Sequence, residues 1–454
     1  MEYYCRKYAY KTDCGIVRFW MGPVPIVLLT RVPSIKAVLE SPTLTTKPEE
    51  YKILARVTGD GLITDSGEKW RSRRKMISCF FHPTVLQSYE TRFNSYSCVL
   101  TKKLDQFADK DEAFDLLPYL KHYTMDLSAD IILGCQTNTQ EGENLEYFEA
   151  VAHLVDEGLK GFHSPWLRIK AISRLLGHER RIEKSEAIAR DFETKMVLAR
   201  KKEYDSMKTR SVSEKTSSEE IDKKCFLDWY LSLQDEHNLS IEDIRGELGT
   251  LLFAGVKTKR VFQPSQIKPS MVEFLYDLTR RGPGKTVSAH NIISDVTGLF
   301  LFILGNKLEC QNKIYEELIS IQNNASSFQG EKERDVTSDD LRSLVYLDRC
   351  VKEALRYYPA ILLFGRRITK DVRIGEYTIP AGVTAYISPF SVGRDPREWE
   401  EPDFYNPDNF SSENVAKRDP FAYVPFSAGI RNCLGMSSSV RKYFLKLYIN
   451  EIFL

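Results

Sequence analysis

The segment FSAGIRNCLG, near the C-terminal end, gathers side chains that could act together on one ligand. Cys433 can present an anionic sulfur to a metal, and Arg431 can pair with a carboxylate. Gly429 and Gly435 let backbone come close to a flat ligand, and Phe426 can keep water from the sulfur. These spacings suit a planar, anionic, iron-bearing ligand bound through the Cys433 thiolate. A helix starting after the cysteine would help to hold its negative charge. The plain alternative is a buried cysteine in a glycine-containing turn, the usual fate of an isolated cysteine. The full five-residue pattern argues against it.

Two other pairs have spacings of interest. In KEALRYYP, Glu353 and Arg356 lie one helical turn apart and can face the same neighbour. By itself such a pair is an ordinary surface contact of a few tenths of a kcal/mol, roughly. In GEKWRSRRKM, Trp70 and Arg74 share a helix face. The competing reading there is a basic amphipathic helix whose Arg71, Arg73, Arg74 and Lys75 meet solvent or lipid phosphates.

The elements that must position these residues are mostly helical. GIVRFWMGPVPIVLLT predicts a β-hairpin around Gly22-Pro23, and VPSIKAVLES predicts a short helix. Helical spacing dominates from Gly67 to Lys202, as in Leu145, Phe148, Ala152 and Val155. Residues 205–224 are polar and rich in Ser, Lys and Glu, which predicts a solvated linker. A helix restarts after Leu239 with Ser240 and Asp243 in capping-box spacing. Another starts at Thr337, with Asp340 three residues on, and runs to Pro359 with Leu344, Leu347, Val351 and Leu355 on one face. Residues 371–388 alternate apolar and polar around two turns, which predicts a small meander of strands.

Composition excludes more than it identifies. In 454 residues the net charge is +1, which gives no general attraction to nucleic acid. Nine cysteines stand singly without a CxxC pair, which fits a reducing compartment. The seven histidines show no ligand-like pairing with them, which argues against a zinc site. The longest apolar run, 296–305, is much shorter than the roughly 20 residues of a membrane-spanning helix. The opening MEYYCRKYAYKTD reads as neither signal peptide nor anchor.

The cysteine segment resembles the haem-ligand loop of the cytochrome P450 superfamily, and the motifs arrive in that family's order from about Gly15 to Gly435. GDGLITDSGEKWRSRRKMISCFFHP, VKEALRYYPAILLFGRRITKDV and IGEYTIPAGVTAYISP are most similar to family 4, notably its insect members. The resemblance implies a single mainly helical domain over 1–454 with minor sheets. It implies haem b, with Cys433 as the axial iron ligand and Phe426, Gly429, Arg431, Gly435, Trp70 and Arg74 around it. Glu353 and Arg356 become a buried brace, with Asn409 where the family carries a third, charged member. FAGVKT resembles the oxygen-activating helix, with Ala254 and Gly255 at a groove and Thr258 at the proton-handling threonine. The implied reaction inserts one atom of O2 into a lipophilic substrate (fatty acid, hydrocarbon or xenobiotic). Substrate contacts are expected from 253–258 and 360–364. Electrons would come from NADPH through NADPH–cytochrome P450 reductase at the cytosolic face of the endoplasmic reticulum membrane, with peripheral membrane contact.

The sequence departs from that pattern in four places. Lys257 stands where a carboxylate is expected, and a lysine there would disturb a proton relay. A Gly-interrupted core helix ending in an exposed lysine is the plain alternative for this stretch. Residues 259–293 read as an atypical insert, the tail after Gly435 is short, and no anchor precedes the catalytic part. Ala254 occupies the position of a glutamate that links haem covalently in some relatives, so no such ester is expected. The rival hypothesis is a P450-fold protein that binds haem without turnover. A third is a basic surface-binding module using Arg71 to Lys75.

Overall fold

The computed structural model describes residues 9–21, 24–107, 117–211, 225–256, 300, 303–304, 307–329 and 337–436. The expected hairpin forms: β1 (Ile16–Met21) pairs antiparallel with β2 (Val24–Leu29). The next helix, α1 (Val32–Leu39), starts with Pro33 in its first turn, where a missing N–H costs nothing. Its apolar side, Val32, Ile35, Val38 and Leu39, is buried.

The main helical body follows: α2 (Tyr51–Thr58), α3 (Gly67–Phe80), α4 (Glu90–Leu104), α5 (Leu117–Leu133) and α6 (Leu145–His163). It continues with α7 (Lys170–Leu175), α8 (His178–Ser211), α9 (Phe226–Ser232) and α10 (Ile241–Val256). The helix α8 overruns the expected linker. Its helical hydrogen bonding carries through residues 205–211, a stretch with no Gly or Pro to stop it, and 212–224 lie outside the described residues. The capping box of α10 forms as its spacing predicts: Ser240 Oγ accepts from Asp243 N at 3.0 Å, and Asp243 Oδ2 accepts from Ser240 N at 3.2 Å.

After α11 (Leu308–Gln329), the single helix expected from Thr337 is two: α12 (Ser338–Ser343) and α13 (Val345–Tyr357). The break at Leu344 has a tertiary cause. The Glu317 carboxylate of α11 accepts from the N–H groups of Tyr346 (2.8 Å) and Leu347 (3.0 Å), capping a new N-terminus. Leu344, Leu347, Val351 and Leu355 are all buried, as the spacing predicts.

The expected meander is also divided. β4 (Val372–Ile374) and β5 (Tyr377–Ile379) form their own two-stranded sheet. β6 (Thr384–Ile387) instead lies between β2 and β3 (Phe364–Arg367), parallel to the first and antiparallel to the second. All four β6 residues are buried, so the strand needs neighbours on both edges, whereas β4 alternates buried and exposed.

Of the five apolar clusters among the described residues, three surround the cysteine loop. One joins α3, α5, α6, α8, α9 and α10; one lies between the larger sheet, α1 and Trp399; one joins α11 and α13. The cysteine loop touches all three, through Leu434, Val424 with Ala428, and Phe426 respectively.

Candidate haem site

The loop is shaped by its own backbone. Cys433 N donates to Phe426 O at 2.9 Å, and Ser427 N to Val424 O at 3.1 Å, closing a turn in which Ser427 has φ 60°. Gly429 also has positive φ, and a Cβ there would lie 2.0 Å from Leu39 O. This glycine is therefore required for contact with the end of α1. Gly435 lies in the short turn Leu434–Met436 directly after the cysteine. Cys433 is exposed, whereas Cys14, Cys225, Cys310 and Cys350 are buried. The buried-cysteine alternative does not describe it.

Trp70 and Arg74 of α3 meet this loop. Arg74 donates from Nη1 to Asn432 O and from Nη2 to Asn432 Oδ1, both at 2.6 Å, beside the thiol. Burial holds the Arg74 guanidinium below its ordinary range, and the neighbouring Cys433 partly offsets this. Trp70 is buried, and the Arg431 guanidinium stacks 4.3 Å from its ring. Arg431 also donates to Asp65 O.

Two cations that sequence spacing does not reveal complete the arrangement. Arg366, on β3, is buried and donates to Gly365 O (3.1 Å) and Ser427 Oγ (3.3 Å). Burial drives the Lys47 ammonium well below its ordinary range, and repulsion from Arg366 and Arg431 adds to this. The same causes, burial and then Arg366, bring Arg431 down to about 9. Burial likewise lowers Arg366. The nearby acids do not balance this set: burial raises both the Tyr51 phenol and the Asp65 carboxyl, and Asp65 is ion-paired with Arg73 at 3.0 Å. The buried Arg431 Nε has no hydrogen-bond partner. Cations withdrawn from water without balancing acids, one buried and two half-buried, are costly, so the site calls for an anionic ligand beside the exposed thiol. A haem, with two propionates and an iron that accepts thiolate, fits this donor set.

Behind the loop, Glu353 and Arg356 are a buried bidentate pair, 2.7 Å at each bond. Arg356 also donates to Gly393 O (2.7 Å), Pro402 O (2.8 Å) and Phe404 O (2.8 Å). Glu353 Oε1 accepts from Asn406 N (2.8 Å) and Asn409 Nδ2 (3.1 Å), so Asn409 does reach the brace. Positive charge is restored nearby. Arg418 stacks 3.6 Å over Trp399 and donates to Asn409 O at 3.0 Å; burial lowers its guanidinium, and the Glu353 charge partly offsets this.

A further buried node ties α3 to α10. Arg73 Nη1 donates to Asp60 O (2.6 Å) and Glu247 (2.9 Å), and its Nη2 donates to Asp243. Gly246 fits there because any Cβ would meet Asp60 O at 2.3 Å. Arg73 is thus a core residue of α3, which removes it from the basic surface patch. Lys257, Thr258 and the expected insert 259–293 lie outside the described residues.

The family model described as Cytochrome P450 matches residues 2–260 and 290–445. Among curated relatives, Cytochrome P450 4V2 of Homo sapiens is 30% identical over 428 residues, covering 94% of this chain and 74% of that protein. Cytochrome P450 4c3 of Drosophila melanogaster is 31% identical over 437 residues, covering 94% and 74%. Cytochrome P450 4c21 of Blattella germanica is 29% identical over 421 residues, covering 92% and 76%. With a matching family model over most of its length and family 4 relatives along it, this chain belongs to the cytochrome P450 family of haem monooxygenases, which are oxidoreductases.

Proposed function

We propose that this monooxygenase places one atom of O2 in a lipophilic substrate of the fatty acid, hydrocarbon or xenobiotic class, using electrons from NADPH through NADPH–cytochrome P450 reductase. The observation that carries the assignment to these residues is the exposed Cys433 thiol in the loop that meets the buried Arg366 and the half-buried cations Lys47 and Arg431. Haem b, when bound, would supply the redox chemistry, and Cys433 would hold its iron. Arg431 and Arg366 would pair with its propionates, and Trp70 holds the Arg431 plane. Arg74 fixes the cysteine loop through Asn432, and the Glu353–Arg356–Asn409 brace fixes the segment behind it. Thr258 is assigned the distal proton-handling hydroxyl, and residues 253–258 and 360–364 the substrate contacts.

Residues 1–454 form one domain in this reading, with 259–293 as an atypical insert. The interval 261–289, between the two segments the family model matches, supports this. Peripheral contact with the endoplasmic reticulum membrane is supported by exposed Trp20, Trp166, Ile169, Leu175 and Leu176. No helix among the described residues is long and apolar enough to cross a membrane.

A reduced carbon monoxide difference spectrum tests the assignment: the thiolate-type Soret band forms in the parent and is lost in Cys433→Ser. Survival of that band in the variant overturns Cys433 ligation. Lys257 favours a second reading, haem binding without turnover. NADPH consumption with no oxygenated product across lipophilic substrates would establish it.

A further inference from the structure

The chain from Thr46 to Tyr51, the first residue of α2, lies down on β3 and carries a donor that the haem site has not used. Thr46 O accepts from Arg367 N at 2.8 Å, and Gly365 N donates to the Tyr51 hydroxyl oxygen at 3.1 Å. Pro48 passes so near that a Cβ at Gly365 would stand 2.6 Å from its Cγ, so glycine alone admits the segment. The peptide groups of Gly365 are then shared. Its N–H meets Tyr51, and its carbonyl accepts from Arg366 at 3.1 Å. Arg366 reaches on to Ser427 Oγ at 3.3 Å, which links Tyr51 to the cysteine loop through one residue and one guanidinium.

The hydroxyl proton of Tyr51 is unused. Tyr10, Tyr357, Tyr405 and Tyr423 each donate theirs to a backbone carbonyl. Tyr51 Oη accepts, and its proton has no acceptor among the described residues. Lys47, one helical turn earlier in sequence, holds its ammonium 4.4 Å from the Tyr51 ring and likewise has no acceptor among them. The buried Arg431 Nε is open in the same way. Burial raises the phenol, with the Gly365 bond and the two arginines opposing, so Tyr51 remains a protonated donor at neutral pH.

We propose that the Tyr51 hydroxyl is a neutral hydrogen-bond donor to a haem propionate, working beside Lys47 and Arg431. This role rests on the haem reading above and adds to it a residue that no motif marks. A carboxylate accepts several hydrogen bonds, and those that reach an ionised acceptor are stronger than neutral pairs. A neutral donor adds no charge to cations already in mutual repulsion, so the apoprotein carries it without the cost of a further cation. The phenol gives its proton to the ligand while its oxygen still accepts from Gly365 N, and both bonds form at once.

The test is Tyr51→Phe in the full-length chain, which keeps the ring under Lys47 and removes the hydroxyl. Parent and variant are each loaded with haem, and separately with haem dimethyl ester, whose propionates carry no charge. Transfer to excess apomyoglobin is timed for each. Haem should leave the variant about tenfold faster, as for loss of one charge-assisted hydrogen bond. With the dimethyl ester the two chains should agree within about twofold. Urea unfolding of the two apo forms measures what Gly365 N loses with its acceptor, a change common to both cofactors. Equal rates of haem loss from parent and variant would overturn the role of Tyr51, as would a tenfold gap that persists with the dimethyl ester. The reduced carbon monoxide spectrum separates this from the haem reading itself. Absence of the thiolate-type band in the parent overturns both, whereas an intact band with equal loss rates overturns Tyr51 alone.

Discussion

Arg356 and Arg431 are both arginines in largely water-excluded surroundings behind or beside the same loop, and they are treated in opposite ways. All five N–H groups of Arg356 are satisfied by the chain itself, two of them by the carboxylate of Glu353. Arg431 faces Lys47 and Arg366, has an indole on one side, and keeps an unpartnered Nε. The first is a finished structural pair, and the second keeps a buried donor open among other cations. Arg73 is a third case, one guanidinium among Asp65, Asp243 and Glu247, where the excess is negative. Burial of an arginine therefore says little about its role; the balance of charge around it says more.

The largest effect should come from breaking the finished pair. Glu353→Ala leaves Arg356 buried without its carboxylate, and a loss of about 3–5 kcal/mol in folding stability is expected. Urea unfolding of the purified chain, or its failure to accumulate on expression, reads this out.

Arg431→Gln should behave oppositely. The apoprotein keeps or gains stability, because a repelled cation is gone, while haem is held about tenfold to a hundredfold less tightly, as for loss of a charge-assisted hydrogen bond. Haem transfer to a competing apoprotein, set beside urea unfolding of the apo forms, separates the two quantities. A fall in apo stability equal to that of Glu353→Ala would erase the distinction between the two arginines.

The negative-excess node predicts a pH dependence. Burial raises the Glu247 carboxyl from 4.5 to about 7, with Arg73 opposing. The folded state then holds more protons than the unfolded chain between these values, so stability falls as pH rises from about 4.5 to about 7. The expected loss from Glu247 over that window is about 2–3 kcal/mol. Glu193, buried beside Arg245 and likewise raised to about 7, adds a second slope of the same sign. Thermal unfolding as a function of pH should show Glu247→Gln with a shallower dependence than the parent. An unchanged slope would mean that Arg73 keeps Glu247 ionised.

The smallest change is expected at Asn409→Ala, which removes one neutral donor from Glu353 and should cost about 1 kcal/mol. If Arg418 carries the compensating charge, Arg418→Gln should sensitise the chain to the Asn409 change, giving a loss larger than the sum in a double-mutant cycle.

The ligand loop, the Trp70–Arg74 pair and the Glu353–Arg356 pair were legible in the chain because each lies within a few residues, where helix or turn geometry already decides who can face whom. The β1–β2 hairpin and the capping box at Ser240 were legible for the same reason. Lys47 and Arg366 were not. They come from segments hundreds of residues apart and gain their meaning only beside Arg431. The place of β6 between β2 and β3, and the break at Leu344, were likewise beyond local reading, since one follows from burial on both faces and the other from a carboxylate on α11.

What the sequence determined by itself was the residue pattern that marks Cys433 as the candidate ligand and the periodicities of the elements around it, because both depend on neighbours along the chain. Only the tertiary structure decided which arginines are satisfied and which await an anion, because buried charge is balanced in space. It also decided that Gly429 is required by the Leu39 carbonyl, a contact across nearly the whole length of the chain.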